Sequence, residues 1–122
     1  MIAGIGADII EVSRVRRALD RHDRFAARVF TPAERDYCLA AADPVQRFAG
    51  RFAAKEAVAK ALGTSLSWGD VEILADGSGK PVVRLLNQAA VRADGRRVIV
   101  SISHCRTYAV AYAIAVSNHP VG

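Results

Sequence analysis

Two segments near the N-terminus differ in the spacing of their hydrophobic residues. The run from Ile2 to Asp8 is short and apolar, which predicts a strand that ends at the aspartate. From Val12 to Arg21 the hydrophobic residues recur at helical intervals, which predicts a first helix. The chain therefore begins with a strand that is followed closely by a helix.

A second helix is marked by the residues at its start. Thr31 has the side chain of an N-cap, Pro32 suits the first helical position, and Glu34 completes a capping box. We expect this helix to end near Ala42, because Pro44 follows it.

The third and longest helix is predicted from Val45 to Leu62, with Gly63 as its stop signal. Its many alanines allow it to lie close to a neighbouring element. Residues spaced by four share one face of this helix, namely Phe48, Phe52, Glu56 and Lys60. An exposed Glu–Lys pair at this spacing is common, but a solvated pair usually lies opposite the aromatic residues. The pattern favours a helix that reaches the rim of a pocket at its charged end.

The remaining pattern predicts two β-hairpins with a short helix between them. The hairpin strands are expected over residues 71–74 and 82–86, and over 98–103 and 108–116, with the helix over 87–93. Because helices and hairpins are segregated along the chain, the pattern predicts an α+β fold with a largely antiparallel sheet.

Length and charge narrow the function. The 122 residues fit one domain, residues 1–122. Lys and Arg number 17 against 12 Asp and Glu, which gives a net charge of +5. This positive net charge favours an acidic partner. The candidates are nucleic acid, an anionic membrane, a phosphorylated ligand and an acidic protein.

The termini and cysteines indicate the compartment. The first twelve residues carry two acidic and no basic side chains, unlike a signal peptide, and they are too short for a membrane span. Cys38 and Cys105 are too few for a disulfide framework or a zinc site. We expect a cytosolic chain with reduced thiols and a frayed tail over residues 117–122.

Asp8 has two interpretations. It can cap the helix that starts at Val12, or it can bind a metal where the sheet opens. One carboxylate from a strand end and one from a helix suit Mg²⁺, which prefers oxygen ligands, keeps several waters and is often completed by substrate phosphates.

The segment SISHC, residues 101–105, also carries polar side chains at the end of a strand. Ser103, His104 and Cys105 do not form a catalytic triad, because adjacent residues on a strand face opposite ways. A lone histidine here is either structural or, with the nearby hydroxyls, a contact to an anion such as phosphate.

Arginines recur along the first helix and beyond it at spacings of three and four, at positions 14, 17, 21, 24 and 28. If the helix persists, they form one continuous stripe. Such a stripe is either a solvated basic face or a surface for an acidic protein helix or a phosphate backbone.

Four segments in this order resemble the holo-[acyl-carrier-protein] synthase family, the small trimeric type of 4′-phosphopantetheinyl transferase. They are GIGADIIEVSRV at 4–15, FAGRFAAKEAVAKALG at 48–63, GKP at 79–81 and SISHCRTYAVAYAI at 101–114. The resemblance runs nearly end to end. Its most specific part is Asp8 together with the R-F-x-x-K-E-x-x-x-K pattern, and SISH supports it.

The resemblance implies an enzyme of fatty acid biosynthesis. It would transfer the phosphopantetheine arm of coenzyme A to a serine of apo acyl carrier protein and release adenosine 3′,5′-bisphosphate. Asp8 and Glu56 are the implied Mg²⁺ ligands, and Lys60 is an implied phosphate contact or proton acceptor. The attacking group is the carrier serine, so no protein nucleophile is needed, and the base is Glu56, Lys60 or a metal-bound water.

The resemblance also implies the surroundings of this site. His104 is implied to bind near the 3′-phosphate of coenzyme A, and Lys80 of the GKP segment is an implied coenzyme A contact. In a homotrimer each active site lies between subunits, with Asp8 and Glu56 from one chain and the SISH segment from its neighbour. The implied docking residues for the acidic carrier protein are Arg14, Arg21, Arg24 and Arg28.

One residue departs from the family pattern, and two other classes of function compete. Cys105 stands where the family usually has Thr or Ser, and its thiol is a weaker hydrogen-bond donor, so we expect a modest loss of coenzyme A affinity. A basic nucleic-acid-binding module leaves Asp8 and Glu56 without a role, and only 7% of the chain is aromatic. A binding domain without catalysis is the other alternative. We expect neither a nucleic acid nor a membrane partner.

Overall fold

The elements follow one another in the predicted order, with one additional short helix, in a computed structural model, which describes residues 1–118. They are β1 (Ile2–Glu11), α1 (Val12–Arg21), α2 (Phe25–Val29), α3 (Pro32–Leu39), α4 (Pro44–Leu62), β2 (Val71–Ala75), β3 (Pro81–Leu85), α5 (Asn87–Ala93), β4 (Arg97–His104) and β5 (Tyr108–Val116). A 3₁₀ turn, Trp68–Asp70, precedes β2. Among these residues there is no helix with the length and apolar character that crossing a membrane requires.

The strands form two antiparallel sheets. In the larger sheet β5 lies between β1 and β4, and β2 and β3 form a separate hairpin. Both predicted hairpins are confirmed, as is the α+β fold with antiparallel strands.

Small residues bring α4 against the larger sheet. A Cβ atom at Gly4 would lie 1.9 Å from the carbonyl oxygen of Ala61, and one at Gly6 would lie 2.1 Å from that of Ala57. The residues of β5 that pair with this face of β1 are alanines without solvent exposure, namely Ala111, Ala113 and Ala115. The expectation that the alanine-rich helix packs closely is therefore confirmed, and side chains on the α4 face of β1 lie very near the helix.

A second core joins α1, α2 and α3 to the first half of α4. Its aromatic rings form a continuous series in which Phe25 stacks on Phe52 at 6.2 Å and Phe52 stacks on Trp68 at 5.0 Å. The capping box of α3 forms as predicted between Thr31 and Glu34. This core fixes the position of Trp68 beside α4.

The structure corrects the end of the first strand. β1 continues to Glu11, because β5 offers pairing partners as far as Tyr108. Asp8 therefore lies within the strand, opposite Ala111. Glu11 holds the N-cap position of α1 and makes no side-chain cap, so the interpretation of Asp8 as the helix cap is wrong.

Helix α1 ends at Arg21 as predicted, so the condition for one continuous arginine stripe is not met. The chain becomes extended at His22 after α1, and Arg24 precedes the short helix α2, which the sequence pattern did not predict. This break lets Phe25 turn inward to contact Phe52.

Two predicted chain ends also differ. α3 ends at Leu39 rather than near Ala42, and Asp43 before Pro44 takes a non-helical conformation, as expected for a residue that precedes proline. Of the tail predicted to fray, Ser117 donates its N–H to the carbonyl oxygen of Met1 at 2.8 Å. Residues 119–122 lie outside the described part of the chain.

Candidate active site

Asp8 meets α4 through Lys60. Side chains two residues apart on a strand share a face, so Asp8 lies on the same face of β1 as Gly6, which contacts the helix. The Lys60 ammonium donates to the carbonyl oxygen of Ala7 at 3.0 Å and lies 3.4 Å from a carboxylate oxygen of Asp8. The Asp8 side chain is 19% exposed, so this ion pair lies at the protein surface.

Glu56 lies one helical turn before Lys60 and is half-buried. Burial raises the pKa of its carboxyl group, the Asp8 carboxylate raises it further, and Lys60 opposes the shift. The two carboxylates are therefore close enough to repel each other, although they are 48 residues apart in sequence. One lysine between two carboxylates leaves a net negative site.

This donor set fits a magnesium ion. In residues 1–118 there is no group of three or more His, Cys, Asp or Glu side chains that could hold a metal. Mg²⁺ differs from structural zinc in that it commonly takes one or two protein carboxylates and completes its shell with waters and substrate phosphates. Asp8 and Glu56 would hold the ion, and its charge would relieve the repulsion between them.

An open cleft extends from the charged end of α4. Its volume is about 530 Å³, and Glu56 and Lys60 form one wall. The segment that follows the helix, from Gly63 to Trp68, forms another part of its lining. The predicted helical face is confirmed, since Phe48 is buried, Phe52 and Glu56 are partly exposed, and Lys60 is exposed at the charged end. The face of α4 that packs in the core at the start of the helix thus lines a cleft at its charged end.

A basic groove adjoins this cleft. Arg21, Arg24 and Arg28 line a cavity of about 660 Å³ whose floor includes Phe25, Phe52 and Trp68. Because Trp68 borders both spaces, the groove and the cleft share one wall. Arg14 lines a smaller neighbouring cavity that also contains Phe25 and Phe52. The four predicted arginines therefore surround one aromatic patch despite the break between the helices.

His104 and Lys80 lie away from these carboxylates within one chain. A ring nitrogen of His104 is 2.9 Å from the side-chain oxygen of Gln46, which lies ten residues before Glu56 on α4, or about 15 Å at the rise of an α-helix. Lys80 is exposed at the turn between β2 and β3. Cys105 is exposed just after β4 and directly follows His104 in the chain.

Two charged residues that matter to the cleft were missed in the sequence. Glu34 was assigned only a capping role, and Lys55 no role at all, yet they form a buried ion pair at 2.7 Å. The sequence contains one indication that Lys55 is buried. Lys55 is spaced three and seven residues before Val58 and Leu62, which places it on an apolar face of the helix.

Comparisons with known proteins agree with the geometry. A family model described as the 4′-phosphopantetheinyl transferase superfamily matches residues 4–113. A holo-[acyl-carrier-protein] synthase of Chlamydia pneumoniae is 49% identical over 121 residues, covering 95% of this chain and 98% of the relative. One of Moorella thermoacetica is 50% identical over 119 residues, covering 93% of each.

Solved structures show the same fold. The crystal structure of a holo-(acyl-carrier-protein) synthase from Bacillus anthracis in complex with CoA (3′,5′-ADP) is 37% identical, with a TM-score of 0.83 over 97% of this chain and 99% of that one. The enzyme from Neisseria meningitidis is 36% identical, with a TM-score of 0.84 over 96% and 100% of the two chains.

Proposed function

Because the chain belongs to the 4′-phosphopantetheinyl transferase superfamily, we propose that it transfers the 4′-phosphopantetheine arm of coenzyme A to a serine of apo acyl carrier protein. The second product is adenosine 3′,5′-bisphosphate, and the holo carrier would serve fatty acid biosynthesis. The observation that carries the proposal is the convergence of Asp8, Glu56 and Lys60 from a strand and a helix, beside an open cleft that Glu56 and Lys60 line.

The residues at the cleft suit a phosphate-bearing substrate. Lys60 supplies a positive charge to the pyrophosphate of coenzyme A, and the Asp8 and Glu56 carboxylates would hold Mg²⁺. A bound Mg²⁺ neutralises phosphate charge and polarises the phosphorus–oxygen bond that breaks. The serine oxygen forms the new bond to phosphorus, and the leaving oxygen belongs to adenosine 3′,5′-bisphosphate. These residues therefore act mainly by positioning and electrostatic stabilisation.

The serine proton needs an acceptor near the attacked phosphorus. Glu56 and Lys60 are the protein groups at the cleft that can take it. Mg²⁺ held by Asp8 and Glu56 would supply a water ligand as a further acceptor.

The basic groove suits the carrier protein. Its arginines attract an acidic partner, and its aromatic floor offers apolar contact to a docked helix. Since Trp68 separates the groove from the cleft, a carrier bound there would place its serine close to Glu56 and Lys60. We assign docking to Arg14, Arg21, Arg24 and Arg28.

The separation of His104 from the carboxylates supports an active site shared between copies of the chain. The face of the larger sheet that points away from α4 carries exposed apolar side chains, including Ile5, Ile9 and Ile99. A homotrimer would bury this face and bring the His104 segment of one copy to the Asp8 and Glu56 of another. The 3′-phosphate of coenzyme A would then meet His104, and Lys80 would be a further coenzyme A contact.

One experiment tests the transfer directly. The protein is mixed with coenzyme A, Mg²⁺ and an apo acyl carrier protein, and the carrier is weighed by mass spectrometry. We expect the mass increase of one phosphopantetheine, and none when EDTA is present or when the acceptor serine is changed to alanine. A carrier of unchanged mass in the complete mixture would refute the proposal.

A further inference from the structure

The buried ion pair between Glu34 and Lys55 is the most extensively bonded polar group in the described part of the chain. The Glu34 carboxylate and the Lys55 ammonium are 2.7 Å apart, and their side chains are 0% and 1% exposed. Neither residue contributes a metal ligand or a phosphate contact in the proposed reaction. The hydrogen-bond partners of the ion pair show which segments of the chain it holds in place.

All three donors of the Lys55 ammonium have acceptors. They are a Glu34 carboxylate oxygen, the carbonyl oxygen of Trp68 at 2.9 Å and that of Val71 at 2.7 Å. The carboxylate of Glu34 also accepts the N–H of Thr31 at 2.9 Å and that of Ile73 at 2.7 Å. The pair thus joins the start of α3, the middle of α4, the 3₁₀ turn and β2.

Stability alone does not account for such a pair. Taking both charges out of water is costly, and apolar residues of similar volume are often as stable in their place. The hydrogen bonds that the pair makes to four segments indicate instead that it holds those segments in position.

The two backbone carbonyls bound by Lys55 lie at one wall of the cleft. Trp68 and Val71 line the same cleft as Glu56 and Lys60. Lys55 immediately precedes Glu56 on α4, so a single side chain connects the helix that bears the reactive groups to the Trp68–Val71 segment. Trp68 also borders the basic groove.

We propose that Glu34 and Lys55 are positioning residues that hold the Trp68–Val71 wall at a fixed distance from Glu56 and Lys60 and so set the width of the coenzyme A cleft. This inference rests on the proposed function for the identity of the ligand. The position of the wall itself can be measured without ligand, because Trp68 is the only tryptophan of the chain.

The test is a double variant, Glu34→Gln with Lys55→Met, which removes both charges together. We expect far-UV circular dichroism like that of the wild type. Trp68 emission should shift to longer wavelength and become more accessible to acrylamide. The dissociation constant for coenzyme A, measured by calorimetry, should rise about tenfold, because the Trp68–Val71 wall is no longer held at a fixed distance from Glu56 and Lys60.

The matched control is Arg84→Met, which removes the charge of an exposed arginine that lies 3.9 Å from Glu72. It should leave Trp68 emission and coenzyme A affinity unchanged. If the double variant does not fold, Glu34→Gln alone is measured, since glutamine keeps an acceptor for Lys55 or for the Ile73 N–H. For this single variant we expect the same changes in Trp68 emission and in coenzyme A affinity, but of smaller magnitude.

A folded variant with native Trp68 emission and native coenzyme A affinity would overturn the inference. The proposed function fails by a different result, which is wild-type protein that leaves the carrier mass unchanged. The emission of Trp68 reports the position of the wall in either case.

Discussion

At the scale of single residues, Glu56 shows how a site for a cation differs from a site built for stability. Its carboxyl group is half-buried beside another carboxylate, and both effects raise its pKa. Such repulsion disfavours the folded protein, and a divalent cation or a proton relieves it. A carboxylate kept in this position is therefore better explained by chemistry than by folding.

The first prediction concerns the change Glu56→Gln. It removes the repulsion with Asp8 but keeps the size of the side chain, so we expect a melting temperature equal to or slightly above that of the wild type. Transfer should fall by roughly a hundredfold or more, as for a lost group that acts on the transition state. Glu11→Gln, at the end of the same strand as Asp8, is the control and should retain activity. Normal turnover by Glu56→Gln would remove its proposed role.

Cys38 gives a prediction about pH. Burial raises the pKa of its thiol from 9.0 to about 11, although Arg51 opposes the shift. Between these values the unfolded chain releases the proton and the folded chain keeps it, so the contribution of Cys38 to stability is full below pH 9 and is lost as pH rises towards 11.

We therefore compare Cys38→Ala with its parent, both carrying Cys105→Ser so that no second thiol titrates. The parent should be more stable at about pH 8, and its advantage in the free energy of unfolding should shrink by about 2 kcal/mol as the thiol ionises. Urea unfolding at several pH values measures this. A difference that does not change with pH would contradict the raised pKa.

At the scale of elements, the contact between α4 and β1 decides whether the site can form. Gly6 lies two residues before Asp8, where a Cβ atom would lie only 2.1 Å from the helix backbone. A side chain there would push the helix that carries Glu56 and Lys60 away from Asp8. Packing and chemistry thus depend on the same pair of elements.

The change Gly6→Ala tests this dependence. Its methyl group would meet the carbonyl oxygen of Ala57 at 2.1 Å, and we expect a loss of about 2 kcal/mol or more in the free energy of unfolding. Gly77→Ala, in the β2–β3 turn with no atom within 4 Å of the added carbon, should change stability by less than about 0.5 kcal/mol. Chemical denaturation of both variants gives the comparison, and equal stability would contradict the close contact.

Helix α1 offers a prediction about the carrier protein. Arg21 lines the basic groove, so Arg21→Glu should raise the KM for the carrier about tenfold by placing a like charge against an acidic partner. The dissociation constant for coenzyme A should not change. Arg16→Glu makes the same change of charge on the opposite side of α1 and serves as the control. Unchanged carrier kinetics for Arg21→Glu would remove the docking assignment.

The elements also show which features the sequence can predict. The α3 capping box and the α4 stop at Gly63 form as predicted, because they depend on contacts within a few residues. The end of β1 depends on pairing with β5, about a hundred residues later in the chain. The break after α1 depends on Phe25 reaching Phe52. Local patterns contain neither contact. The end of β1 was therefore predicted wrongly, and the sequence left open whether the helix persists beyond Arg21.

The same division applies to the site. Asp8, Glu56 and Lys60 were predicted from their positions and from the family resemblance, and the structure brings them together. Their chemical roles stay predictions. Lys55 was missed because its partners, Glu34 and the carbonyls of Trp68 and Val71, come from three separate segments. A buried lysine is recognised only when those partners are known.

At the scale of the whole molecule, one chain supplies the parts of the site on two different sides. The carboxylates lie near the end of α4, and His104 lies beside its beginning. The sheet face that points away from α4 carries a row in which Ile5, Ile114 and Ile99 are paired across three strands. An apolar row of this kind on an exposed sheet is typical of an interface between subunits.

The change Ile99→Glu tests the proposed trimer. Ile99 is 50% exposed on β4, away from Asp8, so a charge there should leave the fold intact but oppose burial of the face between copies. Light scattering should give a trimer mass for the wild type and a monomer mass for the variant. Phosphopantetheine transfer by the monomeric variant should also fall, because His104 of a second copy no longer reaches the Asp8 and Glu56 carboxylates. Val91→Glu, at a residue 68% exposed on α5, should remain trimeric and active. A monomeric variant with full activity would show that one chain forms the site alone.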